Sequence, residues 1–168
     1  SGMDTQHERA GFWEDRNCEG VDLNSYLVRE LRAFSNLAEL AGKDDLAMEY
    51  EQLAEEKVKK IRDLMWDEED GFFYDRKMNP EEPLSKKAWI YSGINSRSAD
   101  QYKIPVKSVS SFAVLWSNVA TEEQAERMVQ EHLLNPREFW TPYPVSVLSK
   151  SEPWYSTQPH PADMGCNW

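Results

Sequence analysis

VDLNSYLVRELRAFSNLAELAGKDDLAMEYEQLAEEKVKKIRDLMWDEEDGFFYDR, running from Val21 to Arg76, is the stretch that decides the fold. Its first half repeats apolar residues at Leu23, Leu27, Leu31, Phe34, Ala38 and Ala41, a spacing that keeps them on one face of a helix. In the second half Ala47, Tyr50, Ala54, Val58, Ile61 and Met65 do the same. Between them Gly42 stands where a helix end favours a residue tolerant of positive φ, and Asp44 or Asp45 can cap the second helix. Asp22 can cap the first helix in the same way. The stretch predicts an antiparallel helical hairpin over 22–41 and 45–66. The acidic turn Asp67 to Gly71 and a short aromatic strand at Phe72, Phe73 and Tyr74 end it.

Upstream, residues 1–20 show no sustained period and read as a charged loop. Downstream, Lys77 to Lys87 is rich in proline and charge and predicts an exposed loop, while 88–101 carries no clear signal. Beyond Pro105 a helix is expected over 106–119, with Phe112, Leu115, Trp116 and Val119 on one face. Thr121-Glu122-Glu123-Gln124 reads as a capping box opening a helix over 122–134, which Asn135-Pro136 stops. From Phe139 onward the chain is dense in proline and aromatic residues and cannot be a regular helix. A long irregular aromatic segment beside a rigid helical scaffold has the composition of a binding-site wall.

A chain of 168 residues amounts to about one domain and is long enough to bury a core. Its formal charge of −11 argues against non-specific nucleic-acid binding, which needs Lys and Arg to neutralise phosphates. Much of the acidity, as at Glu49, Glu51, Glu55 and Glu56, fits solvated helix faces. No apolar run approaches the length of a membrane-spanning helix, so no membrane partner is expected. No zinc signature, phosphate loop, dinucleotide fingerprint or nucleophile elbow is present, and neither metal nor cofactor is expected.

His132 falls near a helix C-terminus, where the dipole favours its protonated form, and a structural role is the default for it. By residue type alone the early carboxylates Asp4, Glu8, Glu14, Asp15 and Glu19 read as solvated. Trp140, Tyr143, Trp154, Tyr155 and Trp168 are too many for scattered surface residues. They fit either core packing or flat faces on which the apolar side of a sugar ring stacks.

The run Val21-Asp22-Leu23-Asn24-Ser25, the hairpin, Trp66-Asp67 and Gly71-Phe72-Phe73-Tyr74-Asp75 together resemble the inverting glycosidases of the trehalase and family 63 α-glucosidase group. The order of pieces is kept further on. Ser108 to Val119 resembles the group's next helix, and His132-Leu133-Leu134-Asn135-Pro136 to Phe139 and Trp140 its HL-x-NP-x-x-F segment. Pro144 to Tyr155 resembles its irregular loop, and Asn167-Trp168 the opening of its Trp-Arg-Gly-Pro-x-Trp motif. The resemblance covers nearly the whole chain. It implies an all-α fold, part of an (α/α)6 toroid of antiparallel helical hairpins with long aromatic loops.

In that group the general acid is the Asp of a Glu-Ser-Gly-(Trp/Met)-Asp motif preceding the Val-Asp-Leu-Asn run. Ser1-Gly2-Met3-Asp4 stands 18 positions before Asp22, so Asp4 resembles that acid. The alternative is that Ser1-Gly2 is a cloning remnant before a start methionine. The resemblance makes Asp22, Asn24, Tyr143 and Trp168 candidates for binding an oligosaccharide or small glycoside. The group's base is a Glu well beyond the Trp-Arg-Gly-Pro motif. Residues 1–168 are therefore expected to be an internal fragment of one barrel, inactive alone and completed by the remaining barrel helices of the parent chain.

The segment PYPVSVLSK departs from the Gly-x-Pro-Ser usual in family 63, which puts its sugar contacts in doubt. The stretch SGINSRSADQYKIPVKS is longer than the link of the trehalases and favours an α-glucosidase, or a glucosyl- or mannosyl-glycerate hydrolase, over trehalase proper. The competing class is a non-enzymatic helical-repeat interaction module. It would show helix pairs at a fixed period, and none is found.

Overall fold

The computed structural model describes residues 17–81, 99–153 and 155. The expected hairpin is its scaffold, with α1 at Val21–Leu40 and α2 at Asp44–Met65. Gly42 closes the connection at φ +68°, as its placement predicts. The Gly42 N–H donates to Glu39 O and the Lys43 N–H to Ala38 O, each at 2.9 Å, so carbonyls left open at the end of α1 are satisfied.

The helix starts correct the expectation. Gly20 holds the cap position of α1, and Asp22 lies inside the first turn. The Val21 N–H is instead taken by Asp75 Oδ1 at 2.7 Å, a carboxylate 54 positions further along the chain. Asp44 and Asp45 likewise fall inside the first turn of α2, after Lys43, where their charge favours the positive end of the helix.

The buried face of α2 is the predicted one, with Ala47, Ala54, Val58, Ile61 and Met65 inside. That of α1 is not. It consists of Val21, Asp22, Ser25, Val28, Ser35 and Ala38, while Leu31 is half-buried. Leu23, Leu27, Phe34 and Leu37 are 60, 41, 51 and 61 % exposed. The helix thus carries two stripes of helical period, and the one with small side chains faces its partner. Short side chains let the helices approach closely, and Ser35 Oγ donates to Ala47 O across the gap at 2.8 Å.

After α2 the chain folds back on one end of the hairpin. Strand β2 (Trp66–Asp67) pairs antiparallel with β3 (Phe72–Phe73), and β1 (Cys18–Glu19) with β4 (Arg76–Lys77). Lys77 is buried, so the loop expected to be exposed from there begins inside the fold; residues 82–87 of that loop lie outside the described residues.

The helix expected over 106–119 is shorter. It consists of a 3-10 turn, Val109–Phe112, and α3, Ala113–Trp116. The chain up to Ser108 is held extended by a bridge from Ser108 to Leu148, and Val109 N–H donates to Val147 O at 2.8 Å, so the helix cannot start sooner. Trp116 is 57 % exposed and off the expected face, whereas Val119 is buried. Helix α4 (Glu122–Arg127) opens on the predicted capping box, with both reciprocal bonds between Thr121 and Gln124 formed. It runs on as a π-helical segment, Met128–Leu133, before Asn135-Pro136.

The core joins both halves. Val21 and Val28 of α1, Val58, Ile61 and Met65 of α2, Phe72 and Phe73, Val114, Val119, Met128 and Phe139 form one buried cluster. Phe72 is its centre: Phe139 stacks on it at 6.1 Å, and Phe112 and Tyr74 meet it edge-on at 5.6 and 5.3 Å. Arg32 ties α1 to the end of α3 by a 3.1 Å bond to Ser117 O. The fold is all-α, one long helical hairpin with shorter helical segments packed on it and only two-residue strands among the described residues. No helix among the described residues is long and apolar enough to cross a membrane.

Candidate functional site

The start of α1, strands β2 and β3 and Phe139 meet in the main core. Asp22 and Asn24 sit at this helix start. Asp22 is 1 % exposed, with Oδ1 2.6 Å from the Leu23 N–H. Asn24 is half-buried: its Nδ2 donates to Gly20 O at 2.9 Å and its Oδ1 accepts from Lys57 Nζ at 3.3 Å. Tyr143 is 92 % exposed, on a loop that leaves the core at Phe139. Asp4 and Trp168 lie outside the described residues. Cys18, in the strand that feeds α1, packs against Ile104, Val106, Val147 and Leu148, so the approach to Asp22 and the root of the Tyr143 loop share a small second core.

The loop has a closed neck. Glu138 O accepts from the Lys150 N–H at 3.0 Å, and Lys107 O accepts from the Ser149 N–H at 2.9 Å. Phe139 is fully buried on one side of the neck, and Val147, Leu148 and Ser149 are buried on the other. Between them Trp140, Pro142, Tyr143, Pro144 and Val145 are exposed. A compact surface loop with adjoining ends displays its tip without leaving backbone groups unpaired inside.

Beneath the neck lies a cluster of charges that sequence reading missed. Lys107 Nζ donates to Asp70 Oδ1 at 3.1 Å and Glu138 Oε1 at 3.0 Å, and lies 3.4 Å from His132 Nδ1. The buried His132 ring bridges Glu138 Oε2 and Asp70 O, each at 2.7 Å. Tyr74 donates to Asp70 Oδ2, and Lys103 to Asp67 Oδ2. The Lys107 N–H donates to the buried Glu152 carboxylate at 3.0 Å.

Burial acts to raise the Asp70 and Glu138 pKa values, but the hydrogen bonds they accept and the Lys107 charge outweigh it. Tyr74 and Lys107 hold Asp70, and His132 and Lys107 hold Glu138, below the ordinary carboxylate range. Asp67 is held low in the same way, its burial outweighed by Lys103 and the Asp70 N–H. Burial first, and the Asp70 charge second, push the Tyr74 hydroxyl up, so it stays a donor. Carboxylates kept ionised by fixed cations cannot lend protons near neutral pH. This cluster is a brace rather than an acid–base pair.

The structural default for His132 therefore matches its position. The only sequence signal for the brace was a histidine and a lysine, His132 and Lys107, each beside apolar residues; their partners lie up to 62 positions away. Among the described residues no cluster of three or more His, Cys, Asp or Glu is arranged to hold a metal ion.

Comparison with known proteins sets this geometry in a family. An uncharacterized protein of Borreliella burgdorferi is 29 % identical over 136 residues, 81 % of this chain and 24 % of its own length. A cytosolic neutral trehalase of Kluyveromyces lactis is 32 % identical over 104 residues, 62 % of this chain and 11 % of its own length. The chain thus spans about a quarter or less of these curated relatives. Among solved structures, a neutral trehalase of Saccharomyces cerevisiae superposes with a TM-score of 0.64 at 22 % identity, over 90 % of this chain and 25 % of that one. A protein titled sialidase superposes at 0.70 and 16 % identity, over 94 % of this chain and 12 % of its own. These two likenesses establish the fold, that of trehalase-type helical toroids. The sequence profile of the mannosylglycerate hydrolase MGH1-like glycoside hydrolase domain matches residues 2–168, and the chain belongs to that family.

Proposed function

We propose that residues 1–168 are part of a longer glycoside hydrolase that cleaves α-glycosidic bonds with inversion. The observation that carries this reading is the family match over residues 2–168, which takes in both Asp4 and the hairpin. Asp4 serves as general acid, and the base comes from chain beyond these residues. An inverting enzyme needs both, about 6.5–9.5 Å apart, with the water between them. One carboxylic acid by itself supplies neither the activated water nor the enclosure that raises its own pKa, so this stretch alone is inactive.

The substrate-binding end is the one that holds the start of α1 and the aromatic loop. Asn24 and Tyr143 offer it a polar group and a flat ring, and Asp22 and Trp168 join them as candidates by family resemblance. The substrate is a gluco- or manno-configured α-glycoside: an oligosaccharide, or a glucosyl- or mannosyl-glycerate as the family description suggests. Trehalase activity is the second reading, favoured by the trehalase relatives.

The test is the anomer released first. Proton NMR during the first turnovers of the full-length enzyme on an α-glucoside should show β-glucose before mutarotation. Initial release of α-glucose would mean retention and a different mechanism.

A further inference from the structure

We infer that Lys107 is a positioning residue that holds the aromatic loop 139–149 in its substrate-facing form. The inference rests on the glycosidase reading above and deepens it.

Lys107 grips the loop at both ends of its neck. Its ammonium holds Glu138, the residue before the loop, at 3.0 Å. Its carbonyl accepts from Ser149, where the loop ends, at 2.9 Å, and its N–H donates to Glu152 at 3.0 Å. The same ammonium reaches Asp70 at 3.1 Å, in the turn between β2 and β3, and lies 5.9 Å from the centre of the Phe72 ring, on which Phe139 stacks. The loop is therefore tied through one residue, by its ammonium at Glu138 and its backbone at Ser149, to the hairpin end that carries Asp22, while its tip makes few contacts of its own. Thr141 Oγ1 donates to Tyr143 O at 2.9 Å, and the Thr141 N–H to Phe139 O at 2.9 Å. A tip with its rings exposed and its neck locked meets a sugar ring with little ordering left to do, which keeps binding tight.

The experiment uses the full-length enzyme with K107M, K107R and Y143A, and maltose and mannosylglycerate as probes. Binding is read by tryptophan fluorescence, hydrolysis by kcat and KM, and loop order by hydrogen exchange. In K107M the amides of Ser149 and Lys150 should exchange at least about tenfold faster than in the wild type, while those of α2 stay protected. KM should rise about tenfold, as in Y143A, a change read in KM rather than kcat and reversed in part by K107R. If K107M does not fold, the double variant K107M/E138M, which removes both charges, carries the same test. Unchanged exchange at Ser149 and Lys150, equal acceleration throughout the protein, or a loosened loop with an unchanged KM would overturn the inference. Binding without hydrolysis in the wild type sinks the glycosidase reading alone, and the dissociation constant then replaces KM. Neither binding nor hydrolysis of either probe overturns both.

Discussion

Lys107→Met takes the ammonium out of a site where Asp70, Glu138 and His132 converge on it. Its side chain is 13 % exposed and that of Glu138 12 %, so water cannot replace what is lost. Removing one partner of such a buried pair costs about 3–5 kcal/mol, because the other charge stays behind without compensation. Glu138→Met costs less, about 2–3 kcal/mol, since Lys107 keeps Asp70. The informative variant is the double one. With both charges gone neither leaves the other uncompensated, and K107M/E138M should be more stable than K107M alone, with a coupling of at least about 2 kcal/mol. Urea unfolding of the four proteins, at one protein concentration and pH 7, yields the cycle. Additive costs to within about 0.5 kcal/mol would mean that the two side chains do not share a brace, and the reasoning fails.

Acid should weaken the fold in a narrow range. The folded carboxyls of Asp67, Asp70 and Glu138 bind protons less readily than their unfolded forms, so their contribution is full above the unfolded values, about 4, and is lost as pH falls through the folded ones. Urea midpoints should be flat from neutral pH down to about 5 and fall steeply below about 4; a flat profile to pH 3 would contradict the brace. Gly71→Ala should cost more than Gly42→Ala. Both have positive φ, worth about 1 kcal/mol, but a Cβ at Gly71 would meet the Arg127 guanidinium at 2.6 Å whereas Gly42 faces open space. The excess should vanish in an R127A background. Residues 1–168 expressed alone should self-associate through the exposed Leu23, Leu27, Phe34 and Leu37 stripe, and L27K/L37K should shift sedimentation toward monomer. A wild-type chain already monomeric at high concentration would count against that stripe as a covered face.

How much the sequence discloses depends on how local each signal is. The hairpin, its Gly42 turn and the Thr121 capping box are set within a few residues, and periodicity finds them. The buried face of α1 is not, because two stripes of equal period compete. One is rich in leucine, while packing favours the other, with Ser25 and Ser35, whose size allows close approach. The role of Asp75 at the start of α1 and the shared hold on Lys107 join residues far apart in sequence. Only the folded chain brings them together. The shortened helix after Pro105 has the same origin, since its start is dictated by pairing with Val147 and Leu148. The site residues drawn from family resemblance, Asp4 above all, owe nothing to periodicity and stand or fall by chemistry.

That chemistry is tested most directly with Asp4→Asn in the full-length enzyme. The substitution keeps the size and hydrogen bonding of the side chain and removes its proton. Rates are compared on α-glucosyl fluoride, whose leaving group needs little protonation, and on a disaccharide, whose leaving alkoxide needs it. The loss on the disaccharide should be at least about a hundredfold greater than on the fluoride. Equal losses on the two, or near-normal turnover of the disaccharide, would remove Asp4 from the role of general acid.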